Sequence, residues 1–538
     1  MARSVLLAVL ACLVKITIQR STPEDGSYIA AVVEFQVTRN SSEAMEDYIR
    51  LINEAAEQNA DIIVFPEMTL TRGGEYFTVP INSLLKEYPI PAISPDLYDN
   101  GMVSISRAAR ENQIYVVVNV QERVDCSVAP GELCPEQKVY LFNTNVVFDR
   151  SGAVVDRYRK INLFGEITRT PSLDNYLGFF ETDFGVKFGH FICFDLMFQI
   201  PAIQVVEKNQ ITDVIFTTMW FSELPYLTAV QIQEAYAYRM NVNFLASGAN
   251  NVGIGSAGSG IYSGKAGALV STMPGVPTTR LMVATVPKAP GQVTGPYPGP
   301  IYDSPEDHDS LYLITDPSVR SHISRELVHG FQEFTITDKD VSCHFTVRLN
   351  QTGADVQYKY RAAAFSGVRS FTGVATGGSR LCSVVACAGD TIDTCGKRYP
   401  TYVEDASATF EELTIVATVP TPILDTTLSA QDSEFFPISL SVAIMPLEVQ
   451  DTTFTEEIQG ENTIFTFTLN NHDVKLYAFS IWGRVFGWDG DDESPPVGEI
   501  DWDLDTGSPD PGLPDSSSVN LLFKLLLLPA LALLSFVN

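Results

Sequence analysis

Histidine, tryptophan and basic residues are scarce in this chain. Its 538 residues include six His and four Trp, and 35 Lys and Arg face 65 Asp and Glu, for a net charge of -30. Without a basic stripe to neutralise phosphates, a nucleic-acid partner is excluded. The histidines are scattered and form no His-x-x-x-His pair, and there is no Cys-x-x-Cys, so neither a metal nor another cofactor is implied. Gly260–Lys265 only superficially suggests a phosphate loop, because Ala266 follows the lysine where Ser or Thr is required. Charged residues make up 19% against 45% apolar, which excludes a disordered chain. The length suits several folded units.

Part of the acidity is local. Ten acidic residues and no basic ones lie between Gly487 and Asp515, yet the rest of the chain still carries about -20. Both ends read as processing signals. Ten apolar residues, Val5–Val14, follow Arg3 and precede a polar turn, the pattern of a secretory signal peptide. Val519–Val537 is apolar apart from Asn520 and Lys524, and small residues stand upstream at Gly507-Ser508 and Asp515–Ser518. That pattern fits a glycosylphosphatidylinositol attachment signal, with a tail-anchored helix as the alternative. The expected protein is extracellular, on the cell surface, and meets the membrane through a lipid.

Cysteine usage agrees with that compartment. Cys12 leaves with the signal peptide. Cys126, Cys134, Cys343, Cys382, Cys387 and Cys395 are disulfide candidates, and Cys193 is left as an odd thiol. Asn40 and Asn350 each begin an Asn-x-Ser/Thr sequon and are candidate glycosylation sites.

The first half alternates apolar strands with amphipathic helices. Strands are expected at Tyr28–Val37, Asp61–Pro66, Ile114–Val120, Val186–Phe194, Asp213–Thr218 and Val242–Ser247. Helices are expected at Ser41–Ala60, capped by Ser41 or Ser42, and at Met102–Asn112, Pro201–Asn209 and Thr228–Met240. Val139–Phe148 and Val154–Tyr158 read as a hairpin. Strands apolar on both faces indicate an α/β domain with helices outside the sheet. Residues 287–305 read as a Pro/Gly linker. Beyond it the texture turns Thr-, Val- and Phe-rich, indicating a smaller β-rich domain stapled by disulfides. The expected organisation is a signal peptide over 1–22, a catalytic domain over 23–286, the linker over 287–305 and a β-rich base domain over 306–487. An acidic stalk bearing the lipid-attachment region follows over 488–518, and a removed apolar tail over 519–538.

Cys193 ends an apolar strand just before a helix, where α/β folds place reactive groups, and the Phe194 N–H follows it. Read alone, it is either a nucleophile or an inert core thiol. A nucleophilic thiol needs a base. His190, three residues back on a strand, projects from the opposite face and reads as structural. Glu67 and Lys160 also stand at strand ends, where a solvated charge is the default.

Phe65-Pro66-Glu67, Arg159-Lys160-Ile161-Asn162-Leu163 and Ile192-Cys193-Phe194-Asp195 resemble, in order and spacing, the Glu–Lys–Cys motifs of the nitrilase superfamily. Met219–Pro225, Arg239–Ser247 and Gly258–Tyr262 are similar to segments of its vanin/biotinidase branch. Arg159 departs from the His usual before that lysine, and Met68-Thr69-Leu70 from the residues common after the glutamate. The resemblance implies a four-layer α-β-β-α domain with Cys193 as nucleophile, Glu67 as proton acceptor, and Lys160 as proton donor and oxyanion stabiliser. Glu166 and the Phe194 amide take supporting roles, and Trp220 a place in the substrate pocket. The implied reaction is hydrolysis of a small-molecule linear amide through a Cys thioester, foremost pantetheine to pantothenate and cysteamine. Cleavage of biotin amides is the enzyme alternative. A silent cell-surface recognition protein on the same fold is the alternative of another class.

Overall fold

The computed structural model describes residues 20–500 except 39, 72–73, 81–88, 128–137, 352–356, 404–405 and 499. The apolar runs of the first half become β1 (Ser27–Gln36), β2 (Ile62–Val64), β3 (Tyr115–Asp125), β4 (Val139–Phe148) and β5 (Val154–Arg159). They continue as β6 (Gly178–Glu181), β7 (Lys187–Ile192), β8 (Asp213–Thr218), β9 (Glu223–Leu224) and β10 (Asn243–Asn250). Then follow β11 (Ser259–Ser263), β12 (Ala268–Thr272), β13 (Arg280–Pro287) and β14 (Gly299–Ile301). The helices are α1 (Ser41–Glu57), α2 (Asn100–Asn112), α3 (Gln204–Asn209) and α4 (Ala229–Met240).

Two sheets form. One runs β13-β1-β2-β3-β4-β5, and the other runs β6-β7-β8-β10-β11-β12-β14. They join only where Phe35 and Gln36 at the end of β1 pair with Ala249 and Asn250 at the end of β10. Alternation along β1 assigns the layers. Ala31, Val33 and Phe35 pack with Tyr48 and Ile52 of α1 and Met102 and Ile105 of α2. Tyr28, Ala30 and Val32 pack instead between the sheets, with Phe188, Ile215 and Leu245. On the far side Phe191, Phe216 and Phe244 meet Tyr236 of α4 and Val205 of α3. The order is helix, sheet, sheet, helix. Each large apolar side chain so enclosed contributes about 1.5–3 kcal/mol, which is why the strands read as unbroken apolar runs.

Local signals moved some boundaries. Asn40, not Ser41 or Ser42, caps α1: its Oδ1 accepts the Ser42 N–H at 2.9 Å. Residues 201–203 form an irregular turn, so α3 starts at Gln204. The apolar run Val186–Phe194 stops being a strand at Ile192, because Cys193 turns into a 3₁₀ helix. The stretch 287–305 is not bare linker, since β14 within it adds an edge strand beside β12.

The second half is a sandwich. After β15 (Ile314–Thr315), one sheet holds β16 (Ile323–Leu327), β19 (Lys359–Phe371), β20 (Ala375–Cys387), β27 (Leu476–Val485) and β24 (Ser433–Ser441). The other holds β17 (Gly330–Asp338), β18 (Val341–Asn350), β21 (Thr409–Pro420), β26 (Asn462–Leu469) and β25 (Thr452–Gln459). Phe345, Ile415 and Phe467 of one inner face meet Ala364, Val384 and Phe479 of the other. The Cys343–Cys382 disulfide ties β18 to β20 across that core, and Cys387–Cys395 closes a loop after β20. Cys126 is disulfide-bonded too; Cys134 lies outside the described residues.

The outer face of the β19–β20 sheet is not solvated. Phe365, Leu381 and Val385 share a core with Trp220, Tyr226 and Tyr236 of the first domain. Tyr226 Oη bonds Ser383 Oγ at 2.8 Å, and Arg484 Nε donates to the Met197 carbonyl at 2.9 Å. Residues 488–497, expected as free stalk, begin docked: Val497 N–H donates to Arg320 O at 2.9 Å, and Arg484 pairs with Asp489 at 2.6 Å. No helix among the described residues is long and apolar enough to cross a membrane; residues 1–19 and 501–538, with both terminal signals, lie outside them.

Candidate active site

Strand ends from both sheets converge on one buried cluster. Glu67 follows β2, Lys160 follows β5, Cys193 follows β7 and Met219 follows β8. Lys160 Nζ donates to Glu67 Oε1 and to Glu166 Oε2, both at 2.8 Å. Asn143 Nδ2, from β4, donates to the same two carboxylates at Oε1, 2.7 Å each. The free oxygen of Glu67 accepts the Met219 N–H at 2.8 Å. Glu67 therefore has every acceptor direction but one or two occupied, and it is 3% exposed. Asn143 is itself fixed by Asn119 Nδ2 at 2.7 Å.

This square carries two carboxylates and one ammonium. Burial alone would depress the lysine, but Glu166 and Glu67 outweigh it and hold Lys160 well above the ordinary lysine value. Lys160 is a permanent cation here. Glu166, expected in a supporting role, is the second anchor of that ammonium and also accepts the Phe164 N–H at 3.2 Å.

Cys193 adopts φ +49°, a left-handed conformation that non-glycine residues seldom take. The turn converts strand β7 into a helical start in a single residue and points the sulfur out of the sheet. Asp195 holds the turn from behind: its carboxylate accepts from Tyr158 Oη at 2.7 Å and from Asn162 N at 2.8 Å. Sγ lies 3.6 Å from the Met219 carbonyl. Burial first, then the Glu67 carboxylate, push the thiol well above its usual range; Lys160 opposes this only in part. The Phe194 N–H opens the first helical turn, where an N–H has no partner within the helix.

A small cavity opens at Cys193. Phe164, Phe194, Trp220 and Phe221 wall it from the first domain, and Phe371 and Thr372 from the second. Trp220 is both a pocket residue and a fixed one, since Nε1 donates to Leu227 O at 2.9 Å. Glu223 also reaches the cavity. It pairs with Arg369, accepts Thr372 Oγ1 at 2.9 Å, and is pushed up to about 7 by burial.

His190 does not line this cavity; it is fully buried, with Nε2 2.8 Å from Asp156 Oδ2. Asn40 and Asn350 stand at the start of α1 and the end of β18, with Thr352 of the second sequon outside the described residues. Among the described residues no group of His, Cys, Asp and Glu is arranged to hold a metal. Sequence reading missed Asn143, Glu223 and the Phe371–Thr372 wall. Asn143 sits in an alternating strand pattern that gave it no distinction, and the others depend on a contact between domains.

Residues 29–273 match the family model described as carbon-nitrogen hydrolase, and residues 311–489 match the vanin C-terminal domain. The chain is 34% identical over 529 residues to vanin-like protein 1 of Drosophila melanogaster, covering 90% of each chain. It is 29% identical to the human pantetheine hydrolase VNN2, over 75% of this chain and 81% of that one. It is 30% identical to a biotinidase of Takifugu rubripes, over 69% and 81% respectively. The buried Glu–Lys–Cys cluster thus sits in a chain that belongs to the vanin/biotinidase branch of the nitrilase superfamily, hydrolases of carbon–nitrogen amide bonds.

Proposed function

We propose that the protein hydrolyses pantetheine to pantothenate and cysteamine, outside the cell, through a thioester on Cys193. The observation that carries this reading is the placement of the Cys193 thiol beside Glu67, with the Lys160 ammonium locked 2.8 Å from the same carboxylate. Glu67 takes the thiol proton as sulfur bonds to the amide carbon. The carbonyl oxygen becomes an oxyanion, stabilised by the Lys160 ammonium and the Phe194 N–H. As the oxyanion collapses, the C–N bond breaks and Glu67 passes its proton to the departing amine. Water then attacks the thioester, giving its proton to Glu67, and the carboxylic acid leaves as the thiol is restored. Glu166 and Asn143 position the lysine and Glu67. No step needs a cofactor.

The match to vanin-like protein 1 over 90% of each chain, and to a pantetheine hydrolase over 75% of this chain, supports the substrate class, and the disulfides support an oxidising compartment. Lipid anchorage and glycosylation at Asn40 and Asn350 belong to the same reading. Purified ectodomain assayed with pantetheine, biocytin and simple amides in parallel tests it. Release of cysteamine from pantetheine, far above the other rates, is expected. Turnover of biocytin alone would overturn the substrate, and no turnover of any amide by folded protein would overturn the enzyme reading. Phosphatidylinositol-specific phospholipase should release the protein from intact cells; retention would favour a spanning tail.

A further inference from the structure

The cavity beside Cys193 is mostly apolar, half of its lining aromatic, and its polarity is confined to one patch. Among the described residues, apart from Cys193 itself, only Glu223 and Thr372 bring an ionic or hydroxyl side chain to its wall. These two come from different domains and bond each other, Thr372 Oγ1 donating to Glu223 Oε2 at 2.9 Å. Glu223 Oε1 accepts from Arg369 Nη2, whose guanidinium also lies 3.4 Å from Asp316 Oδ2. Glu223, Arg369 and Asp316 are buried, and the patch is anchored on both Glu223 oxygens, with two carboxylates sharing one guanidinium.

The hairpin that delivers Thr372 is built against its own preference. Thr372 and Gly373 form the β19–β20 turn with φ of +52° and +74°. Glycine accepts that region freely, whereas a β-branched residue there is an outlier, at about 1–2 kcal/mol. The hydroxyl bond to Glu223 offsets that strain and fixes Phe371 beside it, where the ring packs edge-on to Phe194 at 5.3 Å between centroids. A residue held in strain at a pocket wall points to use of the wall.

We propose that Glu223 and the Phe371–Thr372 hairpin tip form the specificity wall of the acyl pocket, receiving a neutral acyl chain that carries a hydroxyl or amide N–H and rejecting one that carries a carboxylate. The proposal rests on the amidase reading. In that reaction the amine departs and water enters while the acyl group stays bonded to sulfur, so the anchored, polar wall of the cavity is assigned to the acyl group. A donor there meets unused lone pairs on Glu223 and on the Thr372 oxygen. A carboxylate there meets two carboxylates that already share Arg369, while the Lys160 ammonium is held by Glu67 and Glu166, and Arg484, over the Phe371 ring, by Asp489.

The test is kcat/KM for cysteamine amides of matched acyl length ending in hydroxyl, methyl or carboxylate, followed by amine release. The wild type should prefer hydroxyl to methyl by about 10- to 100-fold and to carboxylate by more, mainly through KM. Glu223→Gln should narrow the hydroxyl-to-carboxylate ratio at least tenfold. Thr372→Ala, which leaves the ion cluster intact, should narrow the hydroxyl-to-methyl ratio about fivefold or more. Folded variants that turn over the series with wild-type ratios would overturn the specificity wall and leave the amidase reading standing. A wild type that hydrolyses none of the three, nor pantetheine, would overturn both.

Discussion

Lys160 Nζ lies 2.8 Å from Glu67 Oε1, so the proton acceptor and the oxyanion donor of the proposed reaction are each other's partner before substrate arrives. Both are buried, and Glu166 shares the ammonium. The pair needs no rearrangement to act, which is what preorganised electrostatics requires. Lys160→Met keeps the stem and removes the charge. It should lower kcat by on the order of 10²–10³, the loss of one oxyanion donor, with the far-ultraviolet spectrum unchanged. A loss confined to KM would place the lysine in substrate binding instead.

The thiol is expected to stay protonated at rest. Burial and Glu67 both disfavour the thiolate, so its pKa lies above the ordinary cysteine value, and thiolate appears only as pH rises past that range. The difference in absorbance at 240 nm between wild type and Cys193→Ser should be flat from pH 6 to 9. In Glu67→Gln, with the carboxylate's repulsion gone, the thiolate signal should emerge at lower pH. A thiolate already present at pH 7 in the wild type would refute this.

Glu234 on α4 is buried, and burial with the nearby Glu448 charge pushes it up to about 8. Between its unfolded value near 4.5 and 8, the folded chain holds a proton that the unfolded chain has lost. Stability from this group is therefore fully present below pH 4.5 and lost as pH rises through 8, on the order of 5 kcal/mol. Glu234→Gln removes that dependence. Its Tm should exceed the wild type's at pH 8 and match it near pH 5; equal values at both would show that the carboxylate is solvated.

The Cys343–Cys382 bridge spans 39 residues and joins the two sheets of the second domain. The chain-entropy account gives about 4 kcal/mol for closing that loop. Replacing both cysteines with Ala should lower Tm by several degrees. Because β19 and β20 of the same sheet carry Phe371 and close the cavity, amidase activity should fall at a lower temperature too. An unchanged Tm would mean that the sandwich core alone holds the domain.

The sequence was most legible where one physical demand dominated. Strands enclosed on both faces had to be apolar throughout, so β1, β8 and β10 stand out, and the strand ends Glu67, Lys160 and Cys193 could be found from them. β19 and β20 did not stand out. Their small-residue stretches, Ala362–Gly367 and Gly377–Ser379, lack β-branched residues because a domain presses on each face and leaves room for small side chains. Asn143 looked like any polar residue in an alternating strand, and its importance comes from two carboxylates at 2.7 Å that the sequence places far from it. Glu223 and Arg369 are 146 residues apart. No local pattern marks a pair that exists only because two domains dock.

The account turns on Glu67, not His190, as the group that moves protons for Cys193, and kcat/KM for the amide substrate in Glu67→Gln and His190→Ala decides it. Glu67→Gln should fall by roughly 10²–10⁴ or more, since both half-reactions use the carboxylate. His190→Ala, confirmed folded, should keep its chemistry and lose only stability, because its ring is spent on Asp156 at 2.8 Å. A folded His190→Ala without activity beside a Glu67→Gln that retains it would contradict the mechanism.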